Sequence, residues 1–128
     1  MKVIIAGSRS ISNYKTVCDA VRESGFVISE VVSGGAKGVD KLGERFAKEH
    51  NIPVKVFPAD WKNIEVEGAV IKHNSYGSYN ALAGHMRNQQ MAEYADALIA
   101  VIENNSSGTL DMITRALNQG IGVHAVRL

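Results

Sequence analysis

Short runs of apolar residues alternate along the chain with stretches in which apolar residues recur every three or four positions. The runs predict buried strands at residues 3–6, 31–32, 54–57, 97–102 and 122–126. The helically spaced stretches predict four helices: one from Tyr14 to before Gly25, one over residues 39–46, one over 84–94, and one from Leu110 to before Gly120. Strands and helices therefore succeed each other along most of the chain.

This order predicts an α/β fold with a parallel sheet covered by helices on both faces, which makes three layers. A chain of 128 residues has the length of one domain, so we expect residues 1–128 to form a single unit. In such sheets ligands bind outside the carboxyl ends of the strands. The turns after the strands are therefore where functional residues are expected.

One segment breaks the regular order. Residues 58–83 show no sustained period of either kind and are rich in Asn, Ser, Gly and Tyr, which predicts a long loop. A lid over a nucleotide, an arm that contacts another subunit, and a disordered loop are all compatible with that composition.

Composition narrows the classes of partner. The formal net charge of +1 argues against a nucleic-acid partner. A single cysteine suits a reducing cytoplasm, where we expect the protein to reside. The first apolar run is too short for a signal peptide or a membrane span, so no membrane partner is predicted.

The first turn of interest is Gly7-Ser8-Arg9, directly after the first strand. A glycine permits close approach of a ligand, the serine offers a hydroxyl, and the arginine offers a planar fork for phosphate. Glycine at this place is also common for packing reasons, and both interpretations stay open.

The second turn opens the second helix and is rich in glycine. Its members are Ser33, Gly34, Gly35, Ala36, Lys37, Gly38 and Asp40. Exposed N–H groups at a helix N-terminus suit an anion, and Lys37 adds a positive charge. The spacing matches neither a Walker A loop nor Gly-x-Gly-x-x-Gly. Asp40 either caps the helix or contacts a ligand.

The third turn is Ser106-Ser107-Gly108-Thr109, after the strand that ends at Ile102. It reads as a ligand-binding turn or as a helix cap with a flexible loop. Arg87 lies early in the helix after the long segment, where its charge opposes the helix dipole, so a ligand or an acidic partner is expected there. His85 lacks companions at metal-ligand spacing, so neither a metal nor a separate cofactor is predicted.

These turns resemble the SLOG superfamily, a Rossmann-like group that includes the Lonely Guy phosphoribohydrolases and DNA-processing protein A, and most of all its small YspA-related branch. The matching stretches are residues 3–9, 32–40, 57–61, 87–92 and 107–109. The resemblance implies a nucleotide-derived ligand bound at the turns above. It adds Asp60, Trp61 and Asn88 to the candidate binding residues, and it matches Arg87 to the family's functional arginine. It also implies a homodimer or larger assembly.

The chain departs from the Lonely Guy pattern at one position. Where that motif has a glutamate, this chain has Met112, which cannot accept a proton or stabilise an oxocarbenium ion. Asp111 is adjacent, but one helical residue is about 100° of rotation, so it should face elsewhere. A second departure is the longer segment 62–84 before the arginine helix.

Three functions follow, in decreasing order of support. The first is a protein that senses, carries or sequesters a nucleotide-derived molecule of ADP-ribose type, without catalysis. The second is a hydrolase acting on an N-glycosidic or phosphate bond, with Arg87, Asp60, Asp111 and Glu103 as the polar machinery. The third is a single-strand DNA module, by analogy with DNA-processing protein A.

Overall fold

The computed structural model describes residues 1–59, 71–74, 77–80 and 83–128. Within them the elements follow in the order β1 (Lys2–Gly7), α1 (Tyr14–Ser24), β2 (Glu30–Ser33), α2 (Val39–Glu49), β3 (Val54–Val56), β4 (Ile71–Asn74), β5 (Gly77–Asn80), α3 (Ala83–Tyr94), β6 (Ala97–Ile102), α4 (Ser107–Gln119) and β7 (Gly122–Arg127).

Five strands form one parallel sheet in the order β3-β2-β1-β6-β7. The central strand β1 sets the register, with Ile4 opposite Val32 on one side and Leu98 on the other. The sheet and its flanking helices confirm the predicted α/β, Rossmann-like architecture.

The two faces of β1 belong to two different core layers. Val3 and Ile5 pack with the buried residues of α1 and α2. Ile4 and Ala6 pack with those of α3 and α4. Successive side chains of a strand point to opposite faces, so a run that is apolar at every position requires cover on both sides.

Two helices end where glycine predicted that they would. Gly25 and Gly120 adopt left-handed conformations, with φ of 71° and 78°. Glycine takes this conformation without the steric cost that a Cβ imposes.

The buried residues of α4 are not the leucines whose helical spacing predicted this helix. Leu110 and Leu117 are 40% and 61% exposed, whereas Thr109, Met112 and Ala116 are buried. Both sets recur at three or four residues, so periodicity located the helix but did not choose its inner face.

The segment at 58–83 contains more regular structure than the predicted loop. Strands β4 and β5 pair antiparallel, with Lys72 opposite Tyr79 and only two residues between the strands. Strands of four residues joined so tightly are too short to show a clear period in sequence. The helix α3 also begins inside the predicted loop, at Ala83.

Among the described residues, none of the helices has both the length and the apolar character needed to cross a bilayer.

Candidate functional site

A cavity of about 630 Å³ opens at the carboxyl edge of the sheet, at the ends of β1 and β6. From β1 the chain builds outward through β2 and β3 on one side, and it returns to build β6 and β7 on the other. The order of strands reverses between β1 and β6, and open α/β sheets bind ligands at such a switch point. The position of the cavity is therefore the one that the topology favours.

The structure brings members of all three predicted turns to this cavity, together with the start of α3. The predicted residues that line it are Gly7, Ser8, Arg9, Ala36, Asp40, Arg87, Asn88, Ser106, Ser107, Gly108 and Thr109. Their roles toward a ligand stay predictions.

Other predicted residues do not reach the cavity wall. In the part of the chain that the structure describes, Ser33, Gly34, Gly35, Lys37 and Gly38 are not among the lining residues. Asp60 and Trp61 lie outside the described residues.

The first turn joins the ends of β1 and β6. A Cβ on Gly7 would overlap the Val101 carbonyl oxygen and the side chain of Val39, so packing alone requires a glycine. The Ser8 hydroxyl donates to the Glu103 carbonyl at 3.1 Å and accepts from the Glu103 N–H at 3.0 Å. Arg9 is exposed on the cavity wall. Of this turn, Arg9 is therefore the side chain that is exposed at the cavity.

The second turn uses its N–H groups internally. Gly35 N–H donates to the Ser33 hydroxyl at 3.0 Å, and Ala36 N–H donates to Asp40 Oδ2 at 3.2 Å. The N–H of Val39, the first residue of α2, donates to the carbonyl of Ser8 at 3.3 Å. Three N–H groups at this turn and at the start of α2 are thus bonded to the protein's own acceptors.

Gly38 brings this turn against the first one. Its φ is 77°, and a Cβ there would overlap the Ser8 carbonyl oxygen and the backbone of Arg9. Both the conformation and the contact exclude a larger residue.

Asp40 is a buried carboxyl on the cavity wall, 5% exposed. Burial raises its pKa to about 6, against the opposing effects of the Ala36 N–H and the charge of Arg87. Asp40 is the second residue of α2, and its side chain holds the preceding turn rather than standing at the N-cap, which is Gly38.

Arg87 reaches from α3 to the second turn. Its Nη1 donates to the Gly34 carbonyl at 2.6 Å, and its Nε donates to Asn88 Oδ1 at 3.0 Å. Burial lowers the pKa of its guanidinium, the charge of Asp40 opposes that shift, and the charge of Arg9 adds to it. Asp40 therefore acts on Arg87 through its charge, and the hydrogen bonds of the Arg87 side chain go to Gly34 and Asn88.

The third turn directs the N-terminus of α4 toward the cavity. Ser106 is the N-cap residue with extended backbone, and its hydroxyl is 2.9 Å from the hydroxyl of Thr109. Asn104, which also lines the cavity, has a left-handed φ of 58°. The first N–H groups of a helix lack intrahelical partners, so this end of the cavity favours an anion.

Met112 stands at the position where the sequence resemblance would place a glutamate. It is 1% exposed and lines the cavity. Asp111 is not among the lining residues that the structure describes; its Oδ2 accepts from Asn88 Nδ2 at 3.0 Å and from Arg115 Nε at 2.9 Å. Its carboxylate thus bonds side chains of α3 and α4, and its role toward a ligand stays a prediction.

Sequence reasoning missed part of the wall. The lining residues that no prediction named are Ala6, Ser10, Gly84, Met91, Asn104 and Asn105. Glu103, named only for the hydrolase, also lines the cavity, as do His85 and Met112. Asn104 and Asn105 follow β6 closely, so the rule that strand ends carry the site could have found them. No group of three or more His, Cys, Asp or Glu side chains is placed to hold a metal ion within the described ranges.

Residues 1–63 of the 128 match the model of YAcAr, the YspA, cpYpsA-related SLOG family. The match confirms the resemblance over the stretches 3–9, 32–40 and 57–61, and the stretches 87–92 and 107–109 lie outside it. No curated protein matches the chain closely enough to count as a relative.

The fold is similar to that of DNA processing protein A (DprA) from Streptococcus pneumoniae, with a TM-score of 0.68 at 21% identity. The similarity covers 97% of this chain and 49% of that protein, so the chain spans about half the length of this structural neighbour. At this identity the likeness shows the fold.

Proposed function

We propose that this chain, which has the fold and the amino-terminal motifs of the SLOG superfamily, binds a nucleotide or nucleotide-derived small molecule of ADP-ribose type. It would act as a sensor, carrier or sequestering protein. The observation that carries the proposal is the cavity of about 630 Å³ at the switch point of the sheet, lined by polar turns and two arginines but with Met112 in the acid's place.

The dimensions of the cavity suit such a ligand. Pockets for small molecules and cofactors measure about 300–1,000 Å³, with a few polar groups that fix orientation. Arg9 and the N-terminus of α4 are suited to a phosphate. Ala6, Met91 and Met112 supply apolar surface for an uncharged part of the molecule.

The charges of the wall are mixed. Arg9, Arg87, Asp40 and Glu103 all belong to it, so it carries both guanidinium and carboxyl groups. A ligand with a phosphate and several hydroxyl or amino groups offers partners to both signs, whereas a bare polyanion does not.

A second candidate is hydrolysis of an N-glycosidic or phosphate bond, and Asp40 favours it. A general acid works best when its pKa lies near the operating pH, and the pKa of Asp40 is raised to about 6. Binding without turnover ranks first because the family's catalytic position holds a thioether.

Mass spectrometry of the protein under native conditions, followed by release of bound small molecules, tests the first candidate. We expect a nucleotide-derived compound at up to one per chain. Calorimetry with AMP and ADP-ribose should then give saturable binding, and chromatography after incubation should return both compounds unchanged. Multiple turnovers would establish the hydrolase instead, and failure of every nucleotide to bind would refute both.

DNA binding ranks third: the structural neighbour is a DNA processing protein, but the net charge of +1 argues against a nucleic-acid partner. Fluorescence anisotropy with a labelled single strand at two salt concentrations tests it: tight, salt-dependent binding would raise its rank. The homo-oligomer, the cytoplasmic location and the roles of segment 58–83 stay predictions.

A further inference from the structure

Arg87 is engaged by the protein on more than one side. Its Nη1 donates to the Gly34 carbonyl at 2.6 Å, and the Phe57 carbonyl lies 3.5 Å from the same nitrogen. Its Nε donates to Asn88 Oδ1 at 3.0 Å. Gly34 follows β2 and Phe57 follows β3, so one guanidinium links α3 to the ends of two neighbouring strands.

Gly34 lies between Arg87 and Asp40. A Cβ on Gly34 would stand 2.5 Å from Arg87 Nη1 and 2.8 Å from Asp40 Oδ2. The same Asp40 oxygen accepts the N–H of Ala36 at 3.2 Å. Arg87 of α3 thus bonds the Gly34 carbonyl, and Asp40 of α2 accepts the Ala36 N–H. The two side chains hold the bend at residues 34–36.

Arg9 is placed differently from Arg87. It is exposed, it follows the central strand β1, and it lines the same cavity. The backbone of Arg9 lies against Gly38.

We propose that Arg87 is a positioning residue that holds the Gly34–Ala36 bend against the cavity, and that Arg9 is the arginine that contacts the anionic group of the ligand. The role of Arg9 rests on the proposed function. The role of Arg87 concerns the protein without a ligand.

The forked geometry of the Arg87 guanidinium distinguishes a positioning role from a role that depends on its charge alone. Guanidinium donates in two fixed directions, here to Gly34 and to Asn88, and an ammonium group cannot reproduce both. Lysine at position 87 should therefore preserve the charge and lose the bend, whereas a residue that only attracts a phosphate would be largely replaced by lysine.

The experiment compares Arg87→Gln, Arg87→Lys, Arg9→Gln and the control Arg22→Gln, whose side chain bonds Asp19 on α1. In amide NMR spectra without ligand, both Arg87 variants should shift Gly34, Gly35 and Ala36 alike, and Arg9→Gln and Arg22→Gln should leave Gly34 in place. Unchanged resonances in Arg87→Gln, or their recovery in Arg87→Lys, would overturn the positioning role.

Calorimetry with adenosine and AMP tests the ligand half. Loss of one charge-assisted hydrogen bond weakens binding about tenfold or more, so Arg9→Gln should lower the ratio of AMP to adenosine affinity by that factor. Arg87→Gln should weaken both compounds by a similar factor. A selective loss of AMP in Arg87→Gln with no change in Arg9→Gln would reverse the assignment.

If the wild-type protein binds none of these nucleotides, the proposed function and the role of Arg9 fail together. The spectra without ligand still decide the role of Arg87, so the two failures are distinguishable.

Discussion

Ser8 and Glu103 are joined by a reciprocal pair of hydrogen bonds through one hydroxyl. Ser8 Oγ donates to the Glu103 carbonyl at 3.1 Å and accepts from the Glu103 N–H at 3.0 Å. The residues are 95 positions apart in sequence, and the pair ties the turn after β1 to the turn after β6. It therefore fixes the spacing of the two turns that flank the cavity.

The first prediction follows from this pair. Ser8→Ala leaves two backbone groups of Glu103 without their partner at a site that is nearly closed to water, so the free energy of unfolding should fall by about 1–3 kcal/mol. Urea denaturation measures it. Ser10→Ala is the control, because the Ser10 hydroxyl bonds the Glu103 carboxylate at an exposed position, and its effect should stay within about 0.5 kcal/mol. Equal losses in the two variants would contradict the structural role of Ser8.

The second prediction concerns the pH dependence of stability. Burial raises the pKa of Asp40 from 3.8 to about 6, so the folded protein retains this proton to a higher pH than the unfolded chain does. The contribution of Asp40 to the free energy of unfolding therefore falls as the pH rises from about 4 to about 6. The fall is about 3 kcal/mol, at 1.36 kcal/mol per pKa unit. Asp40→Asn lacks this titration. Thermal unfolding should therefore show that the stability of the variant, relative to the wild type, increases as the pH rises across that range.

Asp19 provides a control of opposite sign. The hydrogen bond from Lys15 lowers the pKa of this exposed carboxyl, so its stabilising contribution is present at neutral pH and is lost as the pH falls. The stability of Asp19→Asn, relative to the wild type, should therefore decrease as the pH rises. A stability difference between Asp40→Asn and wild type that stays flat from pH 4 to 6.5 would refute the raised pKa of Asp40.

The third prediction contrasts two glycines. Gly34→Ala places a methyl group against Arg87 and Asp40, and overpacking of this kind costs about 1–3 kcal/mol. Gly108→Ala meets no atom within 4 Å and lies in the first turn of α4, so alanine should be neutral or stabilise by up to about 1 kcal/mol. Thermal unfolding of both variants tests whether the variant with less space around the glycine is the less stable one.

The fourth prediction concerns the residue in the acid's place. Met112→Leu conserves volume and should cost less than about 1.5 kcal/mol. Met112→Glu buries a carboxyl at a position that is 1% exposed, so its pKa should rise and the variant should be less stable at pH 8 than at pH 5. Urea denaturation at the two pH values measures this difference, and a glutamate variant as stable as the leucine variant at pH 8 would show that the site is open to water.

The sequence carried the fold because the relevant signals are local. Apolar runs such as the one that became β1 predict strands covered on both faces, and Gly25 and Gly120 ended helices where expected. The inner face of α4 was not predictable in the same way. Leu110 and Met112 each fit a helical stripe, and only contact with the sheet buries one of them.

The sequence also determined that these turns lie at the carboxyl edge, because the parallel direction of the strands follows from the β-α alternation. What each turn offers there depended on the tertiary structure. The glycine-rich turn predicted an open anion cradle, yet Ser33, Asp40 and Ser8 accept three of the N–H groups there, and Arg87 donates to the carbonyl of Gly34. Hydrogen-bond partners distant in sequence compete for the same groups that a ligand would use, and that competition is settled only when the chain is folded.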